Sequence, residues 1–272
     1  CATIIGGSAM MGRAGIAYTT GFKAIATAIP YMLGMFIFSG YAGRIQQVGE
    51  TYGIESIPGL FSYRFGPAAK CILSAMVAFS MMGTVAAQVT ATATIIKLLG
   101  GQVGISYEMG ALIATMIFIL YTAASGLFGV VYTDVVQFFM LIIFVYLLLP
   151  ISSVNFLGGF SSFAANVDTK YITPYLDGQI LGDIVTYLVF TMAGAEMWQR
   201  AFAAKNKKAA KRGMFWGTAV YAVTIALLFL MALAAQQILP DVVAEYGTAD
   251  AVIPALAIKI LPAGVTGLAL SG

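Results

Sequence analysis

The sequence has no histidine, only two cysteines, and few charges: 14 Lys plus Arg and 11 Asp plus Glu, 9% of its residues. Without imidazole there is no His-based triad, no HExxH zinc site and no imidazole proton shuttle, so common hydrolytic chemistry loses its usual base. Clustered pairs of acids are also lacking, and the chain reads as something other than an enzyme. Cys1 and Cys71 cannot build a disulfide framework and read as two small core residues. The formal net charge of +3 is too small to imply nucleic acid or an acidic substrate, and no nucleic-acid partner is expected.

What the chain has in abundance is apolar surface, at 60% hydrophobic residues. An ordinary soluble domain carries roughly a quarter charged residues. Long uncharged runs here exceed what a soluble core absorbs, so the expected partner is the lipid bilayer and the expected location a cell membrane, crossed several times. The chain starts without Met inside one apolar stretch, CATIIGGSAMMG, and stops inside another, LPAGVTGLALSG. It therefore reads as a piece of a longer chain, truncated at both ends, with no signal or transit peptide in view.

The apolar runs predict about eight transmembrane helices in an all-α polytopic protein, at 1–22, 24–43, 70–97, 109–125, 133–155, 183–203, 210–239 and from near 253 to the end. Most reach the ~20 residues that cross ~30 Å of hydrocarbon. Pro30 and Pro150 are expected kinks. Polar loops are expected at 44–70 and 156–182.

Orientation follows from the stretch after the sixth run, where Arg200, Lys205, Lys207, Lys208, Lys211 and Arg212 crowd together. Short loops rich in Lys and Arg stay inside the cell. Counting outward, the loop with Arg44, Arg64 and Lys70 falls inside, and the loop with Asp241, Glu245 and Asp250 falls outside. Helices 1 and 6 then run in opposite directions. Both are interrupted by small residues, Gly6, Gly7, Gly12 and Gly15 in the first and Ala193-Gly194-Ala195 in the sixth. Glycine-broken segments at matching places of two inverted halves point to a midplane binding site, while close helix packing uses small residues as well.

Three polar features stand inside this apolar background. Ser80, Thr84, Gln88 and Thr92 recur every four residues on the third run, beside Thr90 and Thr94. Such a stripe either bonds across helices or lines a wet cavity, and Gln88 is its bulkiest solute-contact candidate. Glu196 precedes Arg200 by four residues, the order favoured for an ion pair. A carboxylate inside a membrane helix is costly unless paired or hydrated, so Glu196 is either half of that pair or a group that binds solute or carries a proton. Asp134 follows Thr133 at the start of the fifth run, where capping and the helix dipole favour an acid.

Ser125-Gly126-Leu127-Phe128-Gly129-Val130-Val131-Tyr132-Thr133-Asp134-Val135-Val136-Gln137 resembles the signature of the sodium:solute symporter family, the relatives of sodium/glucose and sodium/proline cotransporters. Ile57-Pro58-Gly59-Leu60-Phe61-Ser62-Tyr63-Arg64-Phe65 resembles the family's loop after the second core helix, and Gln199-Arg200-Ala201-Phe202-Ala203-Ala204-Lys205 its loop after the sixth. The resemblance implies a LeuT-like five-plus-five inverted repeat within a single transmembrane domain, the first repeat at about 1–155 and the start of the second at about 181–272. It implies sodium-coupled uptake of a small organic solute by alternating access, with sodium as the ion. A solute sensor or a channel-like member without coupled flux is the alternative.

Carried over residue by residue, the resemblance assigns the backbone carbonyls of Ala2 and Ile5 to sodium and Asp134 to the ion's exit path. The other half of the family's sodium site would lie beyond Gly272. The candidate solute contacts are Ser8, Gln88, Gly194 and Glu196. By the resemblance, Ile4 stands where relatives often have Asn or Asp, Ala9 and Ala28 where sugar carriers place polar contacts, Gly194-Ala195 where they have an amide pair, and Glu196 where they have a gating aromatic. Buried sugar hydroxyls would lack partners here, leaving a small amino acid, a carboxylate or an amine, with Glu196 favouring a cationic solute.

Overall fold

The structure, a computed structural model, describes residues 6–100, 103–175 and 177–271; the side chains of Ser8 and of residues 125–131 lie outside that description. Among the described residues every regular element is helical and none is a strand. The order begins with α1 (Gly7–Thr20), α2 (Phe22–Tyr52), α3 (Ile57–Phe65), α4 (Pro67–Gly100) and α5 (Tyr107–Met140). A π-helical segment (Leu141–Leu148) leads into α6 (Leu149–Phe156), followed by the short α7 (Phe160–Ala165) and α8 (Thr169–Ile172). Then come α9 (Gly178–Ala193), α10 (Ala195–Phe202), α11 (Lys207–Ile238), α12 (Val242–Tyr246), a 3-10 turn (Ala249–Ala251), α13 (Val252–Ile260) and α14 (Ala263–Ser271).

Six helices among the described residues are long and apolar enough to cross a membrane: Phe22–Tyr52, Pro67–Gly100, Tyr107–Ala124, Tyr132–Phe156, Gly178–Phe202 and Lys207–Ile238. The lengths depart from the expected runs at several points. The polar stretch 44–70 is largely helical rather than looped, because its Arg, Gln and Glu residues are good helix formers and polarity alone does not stop a helix. The expected fourth and fifth runs are continuous helical backbone through α5. The last run is divided at Leu261-Pro262, where Thr266 Oγ1 lies within hydrogen-bond reach of the carbonyl oxygens of Ala257, Leu261 and Pro262.

The chain forms two compact units. The first comprises Cys1–Ile25, Ala86–Tyr175 and Val223–Gly272. In it α1 packs on the 3-10 turn through Gly15, where an added Cβ would stand 3.0 Å from the Ala249 carbonyl carbon. Met11, Ala14 and Ala17 of the same helix are buried, as are Val252, Ile253, Leu256 and Ala257 of α13. Gly21 joins α1 to α2 with φ 58° and ψ −111°, and its Cα faces the backbone of Tyr171. Phe163, Leu233 and Ala234 form a core cluster, against which Val154, Tyr171 and Phe229 pack.

Asp250 sits half-buried in the 3-10 turn, with Oδ1 close to Gly15, and burial pushes its carboxyl above the ordinary range. The fold therefore favours the protonated form. That contribution is complete below the unfolded value of about 3.9 and is lost as pH rises through the raised folded value. Asp250→Asn is expected to melt no lower than wild type at pH 7, with any advantage vanishing toward pH 3.5. A variant that melts lower than wild type throughout would contradict this sign.

The second unit comprises Ala26–Val85 and Leu176–Ala222. Small residues let α2 approach the helices after residue 178. An added Cβ on Gly34 would meet Thr191 Cβ at 2.9 Å and the Leu188 carbonyl at 3.0 Å. Thr191 Oγ1 donates to the Tyr187 carbonyl at 2.7 Å and lies 3.4 Å from that of Tyr31. Edge-on and tilted aromatic pairs line this seam, Tyr31–Tyr221 at 5.4 Å, Phe36–Phe215 at 5.6 Å and Phe38–Trp198 at 5.9 Å between ring centroids. Such pairs add packing energy beyond the apolar area they bury. At the far end, Ser56 Oγ caps α3 by accepting from the Gly59 N–H at 3.2 Å.

Candidate functional site

The sixth apolar run is broken within the second unit. Helix α9 ends at Ala193, Gly194 has φ −58° and ψ 119°, and α10 starts at Ala195. These angles are open to any residue, so the break does not depend on a left-handed glycine. What glycine supplies is poor helix propensity, roughly 1 kcal/mol below alanine.

A break inside a helix strands carbonyl and N–H groups that must find partners. Two of them are satisfied locally. The indole Nε1–H of Trp198 donates to the Met192 carbonyl at 2.9 Å, reaching back across the break. The Gly194 carbonyl accepts from the N–H of Met197 at 3.1 Å and from that of Trp198 at 3.4 Å. Glu196 lies in the first turn of α10, where a negative charge suits the helix dipole.

Beside the break is a cavity of about 180 Å³, lined by Phe190, Gly194 and Glu196 on this run and by Met76, Val77 and Ser80 of α4, among others. Its polar groups are few. The half-buried Glu196 carboxylate, whose Oε1 would stand 3.4 Å from a Cβ at Gly194, is the charged one. Arg200 reaches back four residues, but its Nη1 donates to the backbone carbonyl of Glu196 at 3.1 Å. That bond holds the first turn of α10, and the carboxylate borders the cavity. A carboxylate among Met, Val and Phe side chains, with one hydroxyl, suits a small solute carrying a cationic or hydrogen-bond-donating group.

The structure brings together two of the four candidate solute contacts, Gly194 and Glu196, and adds Ser80 from the polar stripe. Gln88 is half-buried on α4 and belongs to the first unit, as does the half-buried Asp134 of α5. Beside the stripe, Thr94 Oγ1 donates to the Thr90 carbonyl of its own helix at 2.9 Å. Ala2 and Ile5 lie outside the described residues, and so does the side chain of Ser8. Among the described residues no group of three or more His, Cys, Asp or Glu is placed to hold a metal. Trp198 is the residue that sequence reasoning passed over. Its bond to Met192 spans six positions, a separation that no regular helix brings together, and only the break makes it possible.

Length, composition and the broken run define a polytopic membrane protein. The whole chain, residues 1–272, matches the profile of the Sodium:solute symporter family, and it belongs to that family. It is 28% identical over 99% of its length to a Sodium/pantothenate symporter of Haemophilus influenzae, covering 56% of that protein. It is 27% identical over 88% of its length to a Sodium/pantothenate symporter of Escherichia coli, covering 51%. Similarity also extends to the human High affinity choline transporter 1, 28% identical over 74% of this chain and 34% of that protein. The chain thus spans about half the length, or less, of the curated relatives it matches. The family and these relatives are named as transporters, not enzymes.

Proposed function

We propose that the protein containing this chain couples sodium entry to the uptake of a small organic solute by alternating access, on a LeuT-like inverted repeat. The observation that carries this reading is the break at Gly194, with Glu196 opening the next helical segment beside a cavity. Interrupted membrane helices expose backbone groups and helix ends at the depth where carriers hold their cargo.

In this reading sodium is held in part by the backbone carbonyls of Ala2 and Ile5, and Asp134 lies on its way out. Oxygen ligands from unwound backbone suit a hard cation. Glu196, Gly194 and Ser80 contact the solute, while Gln88 and Ser8 remain candidate contacts on the family resemblance alone. Sodium stabilises the outward-open state only through its differential affinity for the two states, and the coupling is reciprocal, so solute tightens sodium by the factor that sodium tightens solute. Glu196 favours a cationic solute, of which choline is the example among the relatives' named solutes; pantothenate, an anion, would meet the carboxylate unfavourably.

The test is binding by the full-length protein in lipid nanodiscs, with choline and pantothenate as probes at varied sodium. The expected result is that one probe binds and that sodium lowers its Kd at least fivefold, the scale of a coupling free energy of ~1 kcal/mol or more. Binding indifferent to sodium would favour a sensor and overturn coupled transport.

A further inference from the structure

A second cavity, of about 440 Å³, lies wholly within the first unit. One wall is the end of α11 with Tyr18 of α1; the other is the segment 166–171, in a loop that the Lys/Arg bias places outside the cell. Unlike the cavity at Gly194, it carries several amides. Gln236 points its amide nitrogen at the Tyr18 carbonyl, 2.6 Å away, and Gln237 points its own at the Phe163 carbonyl, 3.2 Å away. Asn166 directs its nitrogen at the Ser162 carbonyl at 2.9 Å. Each of these bonds fixes which end of the amide is the carbonyl, and leaves that oxygen as an acceptor. The Tyr18 hydroxyl lies 2.6 Å from both the Leu239 and the Pro240 carbonyl oxygens and shares its single proton between them. The amide oxygens thus leave hydrogen-bond-accepting capacity in the cavity, alongside the second N–H that each amide nitrogen keeps.

The rim already holds one ammonium group of the chain itself. Lys170 Nζ lies 2.9 Å from Asp168 Oδ2 and 4.6 Å from the centroid of the Tyr171 ring, an ammonium held between a carboxylate and an aromatic face. The mutual bond lowers the Asp168 pKa and raises that of Lys170, so both stay charged. Yet the two side chains are 50% and 65% exposed, and exposed pairs hold weakly enough to exchange.

We propose that this cavity is a binding site for a primary organic ammonium ligand, and that the Lys170 side chain is a tethered competitor for the place between Asp168 and Tyr171. The ligand's N–H groups meet the acceptors that the amides leave, and its charge meets the carboxylate and the ring. The inference stands apart from the reading of Glu196, because every residue it uses belongs to the other unit.

The probe is n-butylammonium, which copies the lysine side chain beyond its Cα. In the full-length protein in nanodiscs, calorimetry is expected to show Lys170→Ala binding it about tenfold more tightly than wild type, because the tethered ammonium no longer competes. Asp168→Asn in that background is expected to abolish the gain. Asn caps a helix as well as Asp, so α8 keeps its start, where Asp168 now accepts from the Lys170 N–H at 3.0 Å. Neutral n-butanol should give no binding heat. Equal affinity in wild type and Lys170→Ala overturns the proposal, as does tight binding that survives Asp168→Asn. Loss of binding in Lys170→Ala through Glu196→Gln rather than Asp168→Asn would assign the ligand to the other cavity and also overturn it.

Discussion

Glu196→Gln is expected to weaken binding of a cationic solute ten- to a hundredfold while leaving the protein folded. The substitution keeps the side chain's size and removes its charge beside a cavity whose other described lining is mostly apolar. A hydrogen bond to a charged group contributes about 1.5–3 kcal/mol, which sets that range. Stability should change little, since the substitution keeps the Glu196 backbone carbonyl that Arg200 holds. Glu196→Asp should recover part of the affinity, because it restores the charge one methylene short of its place. Solute binding measured per folded molecule checks this. If Glu196→Gln lowers only yield and melting temperature, with affinity intact, the carboxylate is structural and the cavity is not the solute site.

Gly21→Ala is expected to be the most damaging single-atom change in the described chain outside any binding role. Its φ of 58° with ψ of −111° is a combination that side-chain-bearing residues avoid. Such backbone strain costs about 1–3 kcal/mol. An added Cβ would also overlap the backbone of Tyr171, which cannot move aside as a flexible side chain does, and overpacking of this kind costs about another 1–3 kcal/mol. At roughly 2–4 °C per kcal/mol the melting temperature should fall by about 5–20 °C. A fall of less than about 2 °C would show that the link between α1 and α2 is not held against Tyr171 as described.

The parts of this account that the sequence disclosed share one property: they are local. Ala193-Gly194-Ala195 inside an apolar run announces a weak point in a helix, and the structure breaks the helix at Gly194. Glu196 stands out because a carboxylate in such a run is rare. Features built from distant residues stayed hidden. Asp168 and Lys170 read as ordinary loop charges until Tyr18, 150 or more positions before them, and Gln236 and Gln237, more than 60 after them, complete a cavity with them. Trp198 looks like one more apolar residue until the break brings its indole to Met192. Polarity misled at 44–70, where a hydrophilic composition was compatible with helix and α2 and α3 occupy most of the stretch. The proposed sodium contacts at Ala2 and Ile5 rest on the family resemblance, since they lie outside the described residues.

The central claim is that sodium and solute bind to one coupled protein through the broken sixth segment. The most direct measurement is solute Kd against sodium concentration for wild type and Glu196→Gln in the same full-length nanodisc preparation. The account predicts that sodium tightens solute binding at least fivefold in wild type, and that Glu196→Gln weakens solute binding at every sodium concentration. A wild-type Kd that does not move with sodium would contradict it.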